Sequence, residues 1–166
     1  MISRNILMCS LIGSAILLGG CAPQGSAEPV AAEASSAHPV SGLDVVPLTV
    51  KSGDKTFPFS VEVARTSAEQ AQGLMFRTEL GPNEGMIFPR NPPDIASFWM
   101  RNTPLPLDII FVGVDGKIMN IAANTVPYSL ESVSAAGQTS LVLEIPGGRA
   151  EELGIVPGDS VEWRDQ

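Results

Sequence analysis

Cysteine, histidine and positive charge are what this sequence is short of. It carries two cysteines and one histidine in 166 residues, too few for a disulfide framework or a Cys/His zinc site. Both cysteines, Cys9 and Cys21, stand near the N-terminus. From Val45 onward no Ser-His-Asp or Cys-His nucleophile system can be assembled, and no Gly-x-Ser-x-Gly elbow occurs. Ten Lys and Arg against eighteen Asp and Glu give a net charge of -8. Such a chain repels phosphate backbones, which argues against a nucleic-acid partner. No glycine-rich phosphate loop or dinucleotide fingerprint follows a candidate strand, so the sequence calls for no cofactor. Aromatic residues are 5 %. The 44 % of hydrophobic residues suffices for a single core, and the length matches one domain, expected to be monomeric.

What is present first is an address. A short polar start with Arg4 leads into an apolar run from Ile6 to Leu18 that is too short to span a bilayer of about 30 Å. The run closes on Leu18-Gly19-Gly20-Cys21, which resembles the lipobox of bacterial lipoproteins. The resemblance implies a signal peptide over residues 1–20, cleavage before Cys21, and lipid on that residue, with several acyl chains giving a stable membrane anchor. It places the domain in the cell envelope, facing the periplasm. Ala22 is not the aspartate that resembles inner-membrane retention in enteric bacteria, so the outer membrane is favoured.

Residues 21–44 then read as the lipidated cysteine and a flexible tether. Ala22 to Gly42 is rich in Ala, Pro, Ser, Glu and Gly and has no aromatic residue, so it buries too little apolar surface to repay ordering. Its His38 reads as a solvated linker histidine.

A single domain is expected over residues 45–166. Phe57, Phe59, Val61 and Val63 alternate with Pro58, Ser60, Glu62 and Ala64, the period of a half-buried strand. Thr66-Ser67-Ala68-Glu69 is a capping box opening a short helix that Gly73 can end. Leu80 to Asp94, with Pro82, Pro89, Pro92 and Pro93, reads as a surface loop or groove wall. Ser97–Arg101 and Leu107–Val112 read as strands, and Asp115-Gly116 as the turn of a hairpin continuing into Lys117–Val126. A further strand covers Leu141 to Ile145, a short helix Gly147 to Leu153, and a last strand carries Val161 and Trp163. Short strands with two short helices predict a mainly β (α+β) fold, a compact, small β-barrel-like domain.

Six motifs in order carry a resemblance: Val61-Glu62-Val63-Ala64, Gly73-Leu74-Met75-Phe76-Arg77, Gly85-Met86-Ile87-Phe88, Phe98-Trp99-Met100-Arg101-Asn102-Thr103, Pro106-Leu107-Asp108 and Val142-Leu143-Glu144. Together they closely resemble the domain of unknown function 192 family, small bacterial and archaeal proteins that are often exported. Arg101 stands where that family's pattern leads one to expect Lys. The resemblance implies a compact β-rich fold and no particular activity.

The densest segment is Phe98 to Asp108. In a strand, Phe98, Met100 and Asn102 would share one face and Trp99, Arg101 and Thr103 the other. Asp108 lies among Leu107, Ile109 and Ile110, where a carboxylate needs a partner, for which Arg77, Arg65 and Arg101 are candidates. Either this is a buried network fixing loops, or Trp99, Asn102, Thr103, Asp108 and Arg77 furnish a pocket for a small ligand or an envelope protein. The leading expectation is a lipid-anchored accessory or binding module rather than an enzyme. Two alternatives stay open: an enzyme on envelope glycans using Asp108 and Glu144 as paired carboxylates, and a Cu(I)-binding protein using the thioethers of Met75, Met86 and Met100, residues that equally serve as core fillers.

Overall fold

A computed structural model describes residues 36–165, so the signal peptide and Cys21 lie outside the described residues. The elements in chain order are β1 (Ser36–Ala37), β2 (Asp44–Ser52), β3 (Lys55–Val63), α1 (Ser67–Gln72), β4 (Glu84–Asp94), β5 (Ser97–Phe98), β6 (Leu107–Gly113), β7 (Ile118–Ala122), β8 (Val133–Ser134), β9 (Thr139–Pro146), α2 (Arg149–Leu153) and β10 (Ser160–Trp163). The fold is mainly β with two short helices, as the sequence predicts. Among the described residues no helix is long and apolar enough to cross a membrane.

The main sheet runs in the order β1-β2-β3-β4-β9-β6-β7, with β10 added to β2. Only β3 and β4 are parallel, and α1 makes the crossover between them. The barrel expected from the sequence is not closed. Its edges meet at a lone bridge, Lys117 to Ser160, rather than along a pair of strands. The sheet nevertheless has two buried faces. One side gathers Val46, Leu48, Val50, Phe59, Val61, Val63, Ile87, Ile110, Leu143 and Ile145 into an inner core that α2 joins through Ala150. The opposite side of β4, β9 and β6 presents Met86, Phe88, Val142, Leu107, Ile109 and Phe111 to a second core, covered by Ala64, Leu74, Ala96, Met100 and Ala135. Burial on both faces makes β6 buried along its whole length and apolar except for Asp108.

Local chemistry sets several of these elements. The Thr66 hydroxyl accepts from Glu69 N–H, and the Glu69 carboxylate accepts from the backbone of Thr66 and Arg65. Those backbone donors, Thr66 first, hold the Glu69 carboxyl below its ordinary range. The Asp115-Gly116 turn forms as expected, with Gly116 at φ 76°. Gly85 is fixed by contact: a Cβ there would strike the backbone carbonyl of Glu144 on β9.

Three expectations need correction. The proline-rich stretch from Leu80 to Asp94 is largely β4, whose residues Gly85 to Phe88 are fully buried. Its prolines are tolerated because β3 stops pairing at Ile87, so from Pro89 onward β4 has only β9 beside it. The strand expected over Ser97–Arg101 ends at Phe98. Asn102 turns the chain at φ 56°, which removes the alternation of faces expected from Trp99 to Thr103. Ordered structure also begins before Val45: β1 pairs with β2, and His38, expected in solvent, is only 19 % exposed and packs on the domain.

Candidate functional site

The strand register places one row of residues across the outer face of the sheet: Glu62 on β3, Met86 on β4, Glu144 on β9 and Ile109 on β6. Two carboxylates thus enter the same buried layer, either side of a methionine. Glu62 is 3 % exposed and Glu144 4 %.

Their surroundings differ. Arg77 Nη2 donates to both oxygens of Glu62, at 2.6 and 2.7 Å, and the Ser41 hydroxyl donates to Oε2. His38 Nδ1 lies 3.7 Å from the same oxygen, which explains why the segment before β2 is held down. Glu144 has no such company. Among the described residues no group donates to its carboxyl, and burial alone pushes its pKa up to about 8. At neutral pH it is predominantly the uncharged acid.

Glu144 lies in a cleft of about 270 Å³. One wall is α1 and the chain after it, contributing Gln70, Gly73, Leu74 and Met75; the other is Phe98, Trp99 and Thr103, with Phe88 and Arg90 from β4. Gly73, at φ 47°, ends α1 with its Cα facing the Phe88 ring. Phe98 packs edge-on to Phe88 with centroids 4.9 Å apart. Trp99 is 46 % exposed, with the Arg101 guanidinium 5.5 Å from its ring centre.

Arg90 is anchored from several directions. Its Nη1 donates to Gln70 Oε1 at 2.8 Å, and Gln70 in turn donates to the carbonyls of Ala64 and Pro89. Its guanidinium stands 5.7 Å over the Phe98 ring. Its Nε lies 3.1 Å from Asp94 Oδ1 but is misaligned for a hydrogen bond, and this buried N–H has no acceptor.

Of the residues singled out from the sequence, Trp99, Thr103 and Glu144 come together in the cleft. Asn102 sits behind it, its amide directed at the Met75 sulfur at 3.8 Å. Arg77 serves Glu62 instead. Asp108 lies on the opposite face of the sheet, 0 % exposed, with the inner core. None of Arg77, Arg65 and Arg101 reaches it. Its Oδ1 accepts from the N–H groups of Asn124 and Gly148, and Oδ2 from Ala150 N–H, so its partners are backbone rather than cationic. Asp108 and Glu144, adjacent in register, therefore point to different faces and form no carboxylate pair. Met86 and Met100 are buried in the second core, and the Met100 sulfur accepts from the Thr125 hydroxyl at 3.1 Å. Among the described residues no group of three or more His, Cys, Asp or Glu is placed to hold a metal. The sequence reading missed Gln70 and Arg90, whose types carry no signal until β4 and α1 are brought together.

Two solved structures share the architecture. A protein of unknown function from Novosphingobium aromaticivorans DSM 12444 is 65 % identical, matches 80 % of this chain and 94 % of its own, and superposes with a TM-score of 0.77. A Sinorhizobium meliloti 1021 protein, described provisionally as a transcription regulator, is 33 % identical over 73 % of this chain and 95 % of its own, with a TM-score of 0.71. No curated protein matches the chain. The sequence pattern of one family covers residues 48–163, the span that holds β3, β4, β9 and every cleft residue: the chain belongs to the DUF192 family, described as Uncharacterized ACR.

Proposed function

We propose that this protein is a lipid-anchored binding module of the cell envelope whose domain holds a small ligand in the cleft between α1 and Trp99. The observation that carries the reading is Glu144: a carboxyl buried at a cleft wall with no partner costs stability at neutral pH, and such groups concentrate at functional sites. Supporting it are a few convergent polar groups, Gln70, Arg90 and Thr103, among the apolar surfaces of Leu74, Phe88, Phe98 and Trp99. The volume is below the usual range of about 300–1,000 Å³, which suits a single small molecule and not an oligomer.

The envelope address rests on Leu18-Gly19-Gly20-Cys21, with the outer membrane favoured by Ala22. A glycan-cleaving enzyme loses its basis when Asp108 and Glu144 face apart. A Cu(I) site is weakened because Met75 and Met100 each have a protein donor of their own. The regulator description belongs to the Sinorhizobium protein, and the net charge of -8 disfavours carrying it over.

Thermal melts of the domain against panels of sugars, amino acids, carboxylates and amines test the reading. A ligand at about 100 times its Kd adds about 2.7 kcal/mol. We expect one class to raise the midpoint of the wild type and to do so less for Trp99→Ala. No shift from any class at millimolar concentration overturns the proposal.

A further inference from the structure

Nine large apolar side chains are exposed among the described residues, and six of them, Val40, Phe76, Trp99, Val126, Tyr128 and Leu130, belong to segments that meet at one end of the domain. Backbone hydrogen bonds tie these segments together. Phe76 N–H donates to the Asn102 carbonyl at 2.7 Å, Tyr128 N–H to that of Thr103 at 3.1 Å, and Met100 N–H to that of Ser129 at 3.0 Å. Val40 joins from the N-terminal side, lining one hollow with Phe76, His38 and Arg77. Single exposed apolar residues are ordinary on a protein surface, but a gathering of this size marks an interaction site.

Two of the aromatic residues are presented at a cost. Phe76 has φ 64° and Tyr128 φ 62°, a left-handed conformation that bulky side chains rarely adopt, yet they are 68 % and 63 % exposed. Packing in the core therefore does not repay the strain. The patch also departs from the charge of the chain around it. None of the segments 39–43, 73–76, 98–106 and 123–130 contains Asp or Glu, in a chain with eighteen of them. Their one charged side chain is Arg101, whose guanidinium lies over the Trp99 ring. Acidic residues resume at the margins with Glu79 and Glu131.

We propose that these loop tips are a membrane-contact surface, whose Phe76, Trp99 and Tyr128 side chains enter the headgroup region of the bilayer to which the chain is anchored. The proposal rests on the lipoprotein reading of Cys21 and adds to it the side of the domain that faces the lipid. Cys21 lies 15 residues before Ser36, so the anchor is within about 50 Å of the domain at full extension. Such tethering makes a contact too weak for a free protein count, by raising its effective concentration. The chain then enters the domain at the patch itself: His38 is held beside Glu62 and Arg77, next to Phe76 in sequence. Tryptophan and tyrosine, with an apolar body and a polar tip, suit the membrane interface. A surface without carboxylates escapes the repulsion that the net charge of -8 would otherwise bring toward anionic lipid.

The test uses the full lipidated chain carrying Trp163→Phe, which leaves Trp99 as its only tryptophan. It is reconstituted on phosphatidylcholine vesicles with brominated acyl chains, which quench only tryptophan that reaches the bilayer. Trp99 emission is expected to be quenched relative to unbrominated vesicles, and to stay so at high salt, because the contact is apolar. Phe76→Ser together with Tyr128→Ser, both at exposed positions and so expected to fold, should reduce the lipid-contacting population at least about tenfold and restore the emission. Unquenched Trp99 on a chain that carries fatty-acid label overturns the proposal and leaves the lipoprotein reading standing. A chain without label overturns both. Quenching that persists in the double variant shows that other residues make the contact and overturns the assignment. Self-association of the Cys21→Ala chain that the same two substitutions abolish would give the patch to a second copy of the protein instead.

Discussion

Glu62 and Glu144 stand in one row across the sheet with Met86 between them, and only Glu62 has been given a cation. The same residue type in the same buried layer thus has two fates. Strands β3 and β9 lie two strand spacings apart, roughly 10 Å, so the Arg77 guanidinium that serves one carboxyl is committed before it could serve the other. The first is a structural ion pair tied to the Ser41 and His38 segment, and the second is a neutral acid at a cleft.

Glu144 makes stability depend on pH. Above 4.5 the unfolded chain loses this proton, while the folded protein keeps it until about pH 8. The unfolded state binds fewer protons in that window, so stability falls as pH rises, by up to about 1.4 kcal/mol per unit, and levels off above it. Urea midpoints of wild type and Glu144→Gln across the window should diverge, with the variant gaining relative stability toward alkaline pH. Parallel curves would refute the neutral acid.

Asp108→Ala leaves the N–H groups of Asn124, Gly148 and Ala150 without an acceptor beside the inner core. We expect a loss of about 3–5 kcal/mol, summing three unsatisfied donors at the lower end of their cost. For a domain of about 120–130 residues each 1 kcal/mol moves the thermal midpoint by about 3–6 °C. A shift under about 5 °C would show the three donors to be satisfied by water.

Arg77→Ala should be as severe, about 3–5 kcal/mol, because it strands the Glu62 carboxylate in a site 3 % exposed. Adding Glu62→Leu to it should recover part of the loss. The double-mutant cycle, read from denaturant midpoints, measures the coupling; additivity of the two single changes would mean the pair is not mutually dependent.

Cys21→Ala should yield an unprocessed or soluble chain without fatty-acid label. Label retained on the membrane fraction would remove the lipoprotein assignment.

Elements encoded by near neighbours were legible. The alternation from Phe57 to Val63, the Thr66–Glu69 capping box, the Asp115-Gly116 turn and the helix ended by Gly154 each depend on residues within a few positions, and each formed. Asp108 was also readable as buried from its apolar flanks. Its partners were not, because backbone N–H groups near α2 leave no mark in residue type.

What tertiary structure decided was which surfaces are covered. The outer face of β3, β4 and β9 would read as solvated from Glu62 and Glu144 alone. The chain after α1 and the segments around Ala96 and Ala135 fold over it and turn two polar positions into buried ones. Three prolines made β4 look like a loop until β9 supplied the hydrogen bonds that β3 could not. The sequence alone determined six of the ten described strands and the helix ends, which rest on periodicity and local capping, and the family, which rests on its ordered motifs. The pairing of Glu62 with Arg77, the isolation of Glu144 and the separation of Asp108 from it depend on strand register and on contacts between residues distant in the chain, and only the folded protein sets those.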